Sequence, residues 1–272
     1  MSQTHSTRRL AGWDWLRVTF LLGGALALYF LAPLLALFAT QSPSAVFGQL
    51  QSPVVVDAAT NSVTTATVST LLATVFGVPL AYWLARTRSR WQLLVGGIVA
   101  LPLVLPPIVS GIILLMLVGP NTTVGSLASL GGISLTRSLV GVVIAQTFVS
   151  APFVVVTATT AFNGVDRTLE EAARTLGTTR SGAFRRVTLP LAKRGILAGM
   201  TLAFARSLGE FGATIMLAYY PRTMPVQIWV SFTTLGIENA LPVAVILVGI
   251  AIAVLTVLAA LGANPWESVT HD

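Results

Sequence analysis

Few side chains in this sequence can do chemistry, and their spacing decides of what kind. Arg206 and Glu210 stand four residues apart in an otherwise apolar run, so a helix places both on one face, where they can pair. Unpaired, each costs about 2.5–3.5 kcal/mol at mid-bilayer on insertion scales, so both should face protein or water. Three readings are open: a structural ion pair that fixes helix packing, a gate element, or a cation that meets a passing anion while the carboxylate keeps it from becoming a trap. A second concentration of charge lies between Ala161 and Arg194, where Glu170, Glu171, Arg174 and Arg180 border a short apolar stripe. The rest of the inventory excludes. There is no Cys, the only histidines are His5 and His271, and the only lysine is Lys193. Disulfides, thiolate metal sites and Cys nucleophiles are ruled out, and His-based triads or metal centres are confined to the chain ends. Lys193 is followed by Arg194 with no glycine directly before it, so the chain binds no ATP through a Gly-x-x-x-x-Gly-Lys-Ser/Thr loop of its own.

The elements that must position these groups are read from composition. Of 272 residues, 54% are hydrophobic and 9% charged, with a mean hydropathy of +0.83. Soluble domains carry about 25% charged residues, so this chain belongs in a bilayer. Six apolar segments are long enough to cross: Val18–Phe38, Val63–Leu84, Leu93–Val118, Leu139–Thr160, Gly195–Ala218 and Leu241–Gly262. The first is too long for a signal-peptide core and reads as a span, and the residues after Arg8-Arg9 do not support a twin-arginine signal.

The net charge of +7 would suggest nucleic acid in a soluble protein; here it reports orientation. All of the 16 basic residues except Arg137, Arg206 and Arg222 fall before the first segment, after the second, or between the fourth and fifth. The positive-inside rule therefore predicts a multi-pass protein with both termini and the long basic connection in the cytoplasm, membrane lipid around it and no nucleic-acid partner. The organisation expected is an N-terminal tail, first span and outer loop over 1–60, a membrane domain over 61–262, and a cytoplasmic tail over 263–272. The outer loops Gln41–Ser62 and Gly119–Arg137 are too short and polar to capture a substrate alone. Tyr219, Tyr220, Trp229 and Phe232 fit an interfacial belt in an outer loop, or with Arg222, Met224 and Pro225 part of a dock for an external protein.

The basic connection is unlike an idle loop. Leu169, Ala172, Ala173 and Leu176 make one apolar stripe on a short helix. Asp166 or Thr168 can cap its start, and Gly177 can end it in the left-handed conformation. A second short helix near Ser181–Val187 should stop at Leu189-Pro190. The bland reading is an amphipathic helix on the membrane surface. However, Glu171-Ala172-Ala173, three residues, Gly177, nine residues, then Val187-Thr188-Leu189-Pro190 resembles the EAA motif of importer-type ABC permeases, with valine in place of isoleucine. The resemblance implies coupling helices that sit in a groove of a separate ATP-binding subunit. Ala172, Ala173 and Leu176 would be the docking face, Glu171 a polar contact, Gly177 the turn, and Leu189 and Pro190 the end of the motif.

The run Phe204-Ala205-Arg206-Ser207-Leu208-Gly209-Glu210-Phe211-Gly212-Ala213-Thr214 looks like the fifth-span motif of molybdate, tungstate and sulfate permeases, closest to the molybdate branch. Phe76–Tyr82, Leu101–Pro107 and Ala145–Phe153 agree with it. Pro102, Pro106, Pro107 and Pro152 interrupt helical hydrogen bonding, either beside a water-filled pathway or at packed kinks. Gly195 with Gly199, and Gly209 with Gly212, let helices approach closely. The resemblance implies an all-α permease of the type I ABC importer fold, six spans, working as a homodimer with the pathway between its copies. An extracytoplasmic binding protein would deliver molybdate or tungstate, with sulfate or thiosulfate as the alternative. ATP and Mg would bind the partner subunit, leaving this chain with no cofactor and no catalytic residue. Pathway or gate candidates are Arg206, Gly209, Glu210, Gly212, Pro106, Pro107 and Ser150. A secondary transporter or channel would need inverted repeats or ion-coupling carboxylates, and Glu210 is the only acid inside a segment. A membrane-embedded enzyme would need His, Ser-His or paired-Asp patterns that the sequence does not provide.

Overall fold

Long apolar runs leave the backbone one way to satisfy its own hydrogen bonds in hydrocarbon, and every regular element among the described residues is helical. The computed structural model describes residues 7–260; His5, His271 and the expected tail 263–272 lie outside them. The chain divides into two units at residue 48. The first holds α1 (Thr7–Thr40) and most of α2 (Pro43–Leu50). The span in α1 is apolar and almost wholly exposed, with Trp15 and Tyr29 each 73% exposed, a surface that water solvates poorly.

The second unit carries α3 (Pro53–Arg86), α4 (Arg90–Val104), α5 (Pro107–Val118), α6 (Thr123–Leu130) and α7 (Leu139–Asn163). A hairpin of α8 (Arg167–Thr175) and α9 (Arg180–Ala183) comes next, then a π turn (Phe184–Thr188). The unit closes with α10 (Leu189–Leu208), α11 (Gly212–Leu217), α12 (Met224–Leu235) and α13 (Ile237–Ala260). At its centre α7 packs along both α3 and α10. Small residues allow this: Ala66, Ala81, Ala145, Ala158 and Ala203 are completely buried. A Cβ on Gly199 would lie 3.2 Å from the Val154 Cα, so α10 rests directly on the α7 backbone. Span hydroxyls are mostly satisfied within their own helix, as where Thr65, Thr70 and Thr74 each donate to the carbonyl one turn back at 2.7 Å.

Four expectations change. The third segment is not one straight span: α4 and α5 meet at a 118° bend. Pro106 and Pro107 each lack an N–H, and each drives the residue before it into extended backbone, Leu105 at ψ 134° and Pro106 at ψ 133°. The crossing count is therefore five, or six with the bent pair taken as one. The fifth segment breaks too, after Leu208. Pro190 does not stop a helix. Leu189 N–H donates five residues back to the Phe184 carbonyl, and the widened π turn makes room for the proline ring in the first turn of α10, where a missing N–H costs nothing. Finally, Trp229 and Phe232 sit on the helix α12, whose Met224, Val226 and Gln227 are buried, rather than in a loop.

Candidate functional site

The α8–α9 hairpin is built by local rules. Asp166 settles the start of α8, its carboxylate accepting the Thr168 N–H at 2.9 Å, and that backbone bond draws the exposed carboxyl below its ordinary pKa. At the other end the Gly177 N–H donates to the Arg174 carbonyl (3.0 Å) and the Thr178 N–H to the Ala173 carbonyl (3.1 Å), the paired bonds of a Schellman turn. Gly177 has φ of 86°, a conformation in which a side chain strains the backbone. At 100° per residue α8 has two opposed faces. Leu169, Ala172, Ala173 and Leu176 form one, and it is left open: Leu176 is 87% exposed. Arg167, Glu170, Glu171 and Arg174 form the other and border a cleft against the end of α3. Glu171 therefore lies on the charged face, away from the stripe it was expected to accompany. Leu189 packs on the cluster beneath the hairpin, around Phe162, Ala192 and Ile196, and Pro190 is exposed beside it.

Glu170 ties the hairpin down. Its Oε1 accepts from Arg86 Nε at 2.9 Å and from Thr188 Oγ1 at 2.8 Å, and its Oε2 accepts from the Tyr82 hydroxyl at 3.3 Å. Arg86 also donates to the Val165 carbonyl, and Arg167 to that of Ala85. The Tyr82 ring stands edge-on to Phe162 and Phe184. Burial pushes the Glu170 carboxyl up, but hydrogen bonds from Thr188 and Arg86, the Arg86 charge and the Tyr82 hydroxyl outweigh it and hold its pKa below the ordinary 4.5. The sequence pattern places Glu170 only at a rim and gives Arg86, Tyr82 and Thr188 no role here. Arg86 is 84 residues away, and no periodicity links residues at that separation.

The second group of predicted residues gathers at the break in the fifth segment. Arg206 and Glu210 do pair, but not along a helix as expected: Glu210 lies beyond the end of α10. Its carboxylate is 1% exposed and the Arg206 side chain 29%. Glu210 Oε1 also accepts the Ala213 N–H at 2.7 Å, one of the donors that the start of α11 leaves without a helical partner. The Ser207 carbonyl, which takes the Glu210 N–H at 3.1 Å in the turn that ends α10, also accepts from Gln146 Nε2 (3.0 Å), whose Oε1 in turn accepts from Ser69 (3.1 Å). Gln146 joins α3, α7 and α10, a role visible only in the fold. Gly212 seats the break on the third segment, for a Cβ there would lie 3.0 Å from the Ile108 N and 2.7 Å from the Pro107 Cβ. The two interrupted segments thus meet at Pro107, Ile108 and Gly212, with Pro106 at the bend just before them. Gly209 has ordinary backbone at φ −88° and meets nothing closer than 3.7 Å, so nothing there demands glycine. Ser150 lies one turn along α7 from Gln146, fully buried, its hydroxyl without a protein partner among the described residues.

At the opposite end of α3 from Arg86, Asn61 donates to the Arg222 carbonyl at 3.0 Å, and the Arg222 guanidinium donates to Gln227 Oε1 at 3.1 Å. Tyr220, Arg222 and Asp57 border a cleft of about 420 Å³ there.

Comparison with known proteins agrees with this construction. Residues 77–264 match the family described as binding-protein-dependent transport system inner membrane component. A protein of Haloferax volcanii named "Probable molybdenum ABC transporter permease protein" is 59% identical over 95% of this chain and 95% of its own length. The molybdate/tungstate transport system permease protein of Pyrococcus furiosus is 38% identical over 89% of this chain and 93% of its own. Among solved structures, a bacterial ABC transporter that imports the acidic polysaccharide alginate superposes with a TM-score of 0.71 at 19% identity, over 97% of this chain and 99% of that one, which shows the shared fold. An all-helical, multi-pass chain with interrupted third and fifth segments, matched over most of its length, belongs to the binding-protein-dependent transport system inner membrane components, the permease subunits of ABC importers, and is not an enzyme.

Proposed function

We propose that this chain is the permease subunit of an ATP-driven importer of molybdate or tungstate, and that two copies enclose the pathway in a prokaryotic cytoplasmic membrane with both termini inside. The observation that carries the reading is the two-faced α8. Its charged face is held to α3 through Glu170, while Leu169, Ala172, Ala173 and Leu176 remain open to receive another chain. That partner binds and hydrolyses ATP with Mg; this chain makes and breaks no covalent bond. Motion at Gly177 and along Leu189 and Pro190 passes into α10, and from its end into the junction of Pro106, Pro107, Gly209, Glu210 and Gly212. Glu210 balances Arg206 there, so a dianion handed over by an extracytoplasmic binding protein is attracted without being held. The cargo assignment is supported by relatives named for molybdenum, molybdate and tungstate along nearly the whole chain.

Uptake into proteoliposomes containing the permease and its ATP-binding subunit, with the binding protein outside, tests this. Labelled molybdate should accumulate only with ATP inside, and excess sulfate should compete weakly. Preferred sulfate or thiosulfate uptake would reassign the cargo, and uptake driven by an ion gradient without ATP would overturn the importer reading.

A further inference from the structure

The charged face of α8 borders a cleft of about 690 Å³ that the importer reading leaves unused. Four arginines line it, Arg86, Arg167, Arg174 and Arg180, against the two carboxylates Glu170 and Glu171. Glu170 is already committed to Arg86, Thr188 and Tyr82. Among the described residues Arg174 and Arg180 have no protein acceptor, and Arg167 spends one N–H on the Ala85 carbonyl. The cleft therefore carries surplus guanidinium, a group whose planar fork matches the oxygens of a phosphate.

The other wall is apolar. Pro79 and Trp83, in the last two turns of the span α3, line it together with Phe184, and Trp83 is 38% exposed. Tryptophan at the end of a span marks the level of the lipid headgroups. A cleft with unpaired arginines on one side and a span end with interfacial tryptophan on the other suits a ligand that is anionic at one end and hydrocarbon at the other. A free oxyanion would gain nothing from the apolar wall. The docking stripe of α8 points the opposite way, so a protein seated on it leaves this cleft open. We infer that the cleft binds the phosphate headgroup of an anionic membrane lipid, held by Arg174 and Arg180 between α8 and the end of α3. The site stands apart from the proposed cargo, and its test requires no transport.

Native mass spectrometry of the full-length permease with its ATP-binding subunit, exposed in detergent to equal amounts of phosphatidylglycerol and phosphatidylcholine, reads the binding directly. The wild type should retain phosphatidylglycerol preferentially, and Arg174→Gln with Arg180→Gln should reduce that retention roughly tenfold. Arg88→Gln with Arg90→Gln, just past the end of α3 but outside the cleft, should retain it as the wild type does. Equal loss in the two double variants, or none in either, overturns the site. Inorganic phosphate or molybdate at millimolar concentration should leave the lipid bound; displacement by either would make the site one for a small oxyanion and overturn the lipid assignment. Should the double variant fail to assemble, each single variant carries the same comparison with a smaller loss.

Discussion

Two arginine–glutamate pairs in this protein use the same chemistry to opposite ends. Arg86–Glu170 joins residues 84 apart, at the edge of the membrane domain, and is shared with Thr188 and Tyr82, so one carboxylate fastens the hairpin to α3 and to the π turn. Arg206–Glu210 joins residues four apart, at a helix break inside the fifth segment, and its carboxylate also holds the start of α11. The first pair draws remote elements together; the second holds open a place where the chain departs from helix. Burial separates them further. The Arg86 and Glu170 side chains keep 13% and 16% exposure, whereas the second pair is lopsided, Arg206 keeping 29% and Glu210 1%, so of the four groups the Glu210 carboxylate is the one whose lost partner water can least replace.

The largest effect should come from Arg206→Gln, which leaves the Glu210 carboxylate, 1% exposed, without a counter-charge. A loss of about 3–5 kcal/mol is expected, read as a lowered unfolding midpoint and lost uptake, with partial recovery when Glu210→Gln is added. Unchanged uptake and folding in the single variant would sink both the gate and the ion-pair readings. Glu170→Ala should cost about 1.5–3 kcal/mol, and because the lesion falls between hairpin and span, ATP hydrolysis by the assembled complex should outlast uptake. Gly177→Val puts a β-branched residue at φ 86°, for about 1–2 kcal/mol, and should likewise uncouple hydrolysis from uptake while the chain remains in the membrane. Normal uptake by that variant would remove the hairpin from the coupling path. Acid tests the first pair directly. With its folded pKa lowered, Glu170 contributes stability that is whole above the unfolded value of 4.5 and lost as pH falls through the lower folded one. The midpoint gap between wild type and Glu170→Gln should thus hold near neutrality and narrow in acid; a gap that widened would reverse the sign. Tyr82→Phe, which removes only a 3.3 Å bond, should cost no more than about 1 kcal/mol in the same unfolding assay.

Range along the chain decides how much the sequence discloses. Helical class, the apolar segments, the stripe on α8 and the left-handed Gly177 are set by neighbours within a few residues, and each is readable. The pairing of Arg206 with Glu210 is legible for the same reason. Its setting is not, because a break after Leu208 depends on Gly212 fitting against Pro107 of another segment. Pro190 misleads in the opposite sense: proline restricts its own turn, but a π turn upstream absorbs the restriction. The tether of Glu170 to Arg86 and the bridge from Gln146 to Ser69 and Ser207 are beyond sequence reading, since they exist only once α3, α7 and α10 lie side by side.

The length of α3 has a mechanical side. Its 34 residues form a rod of about 51 Å, well over the roughly 30 Å hydrocarbon core, with Arg86 and the hairpin at one end and Asn61 and Arg222 at the other. Such a rod is a lever: a tilt of about 5° displaces one end by about 4 Å relative to the other, the scale of a one-turn ratchet between packed elements. Pro79, the single interior proline of α3, is where that rod can yield, and it lies on the hairpin side. A force applied at Glu170 would therefore divide between turning the whole rod and flexing its final two turns, with the stiffness at Pro79 setting the ratio.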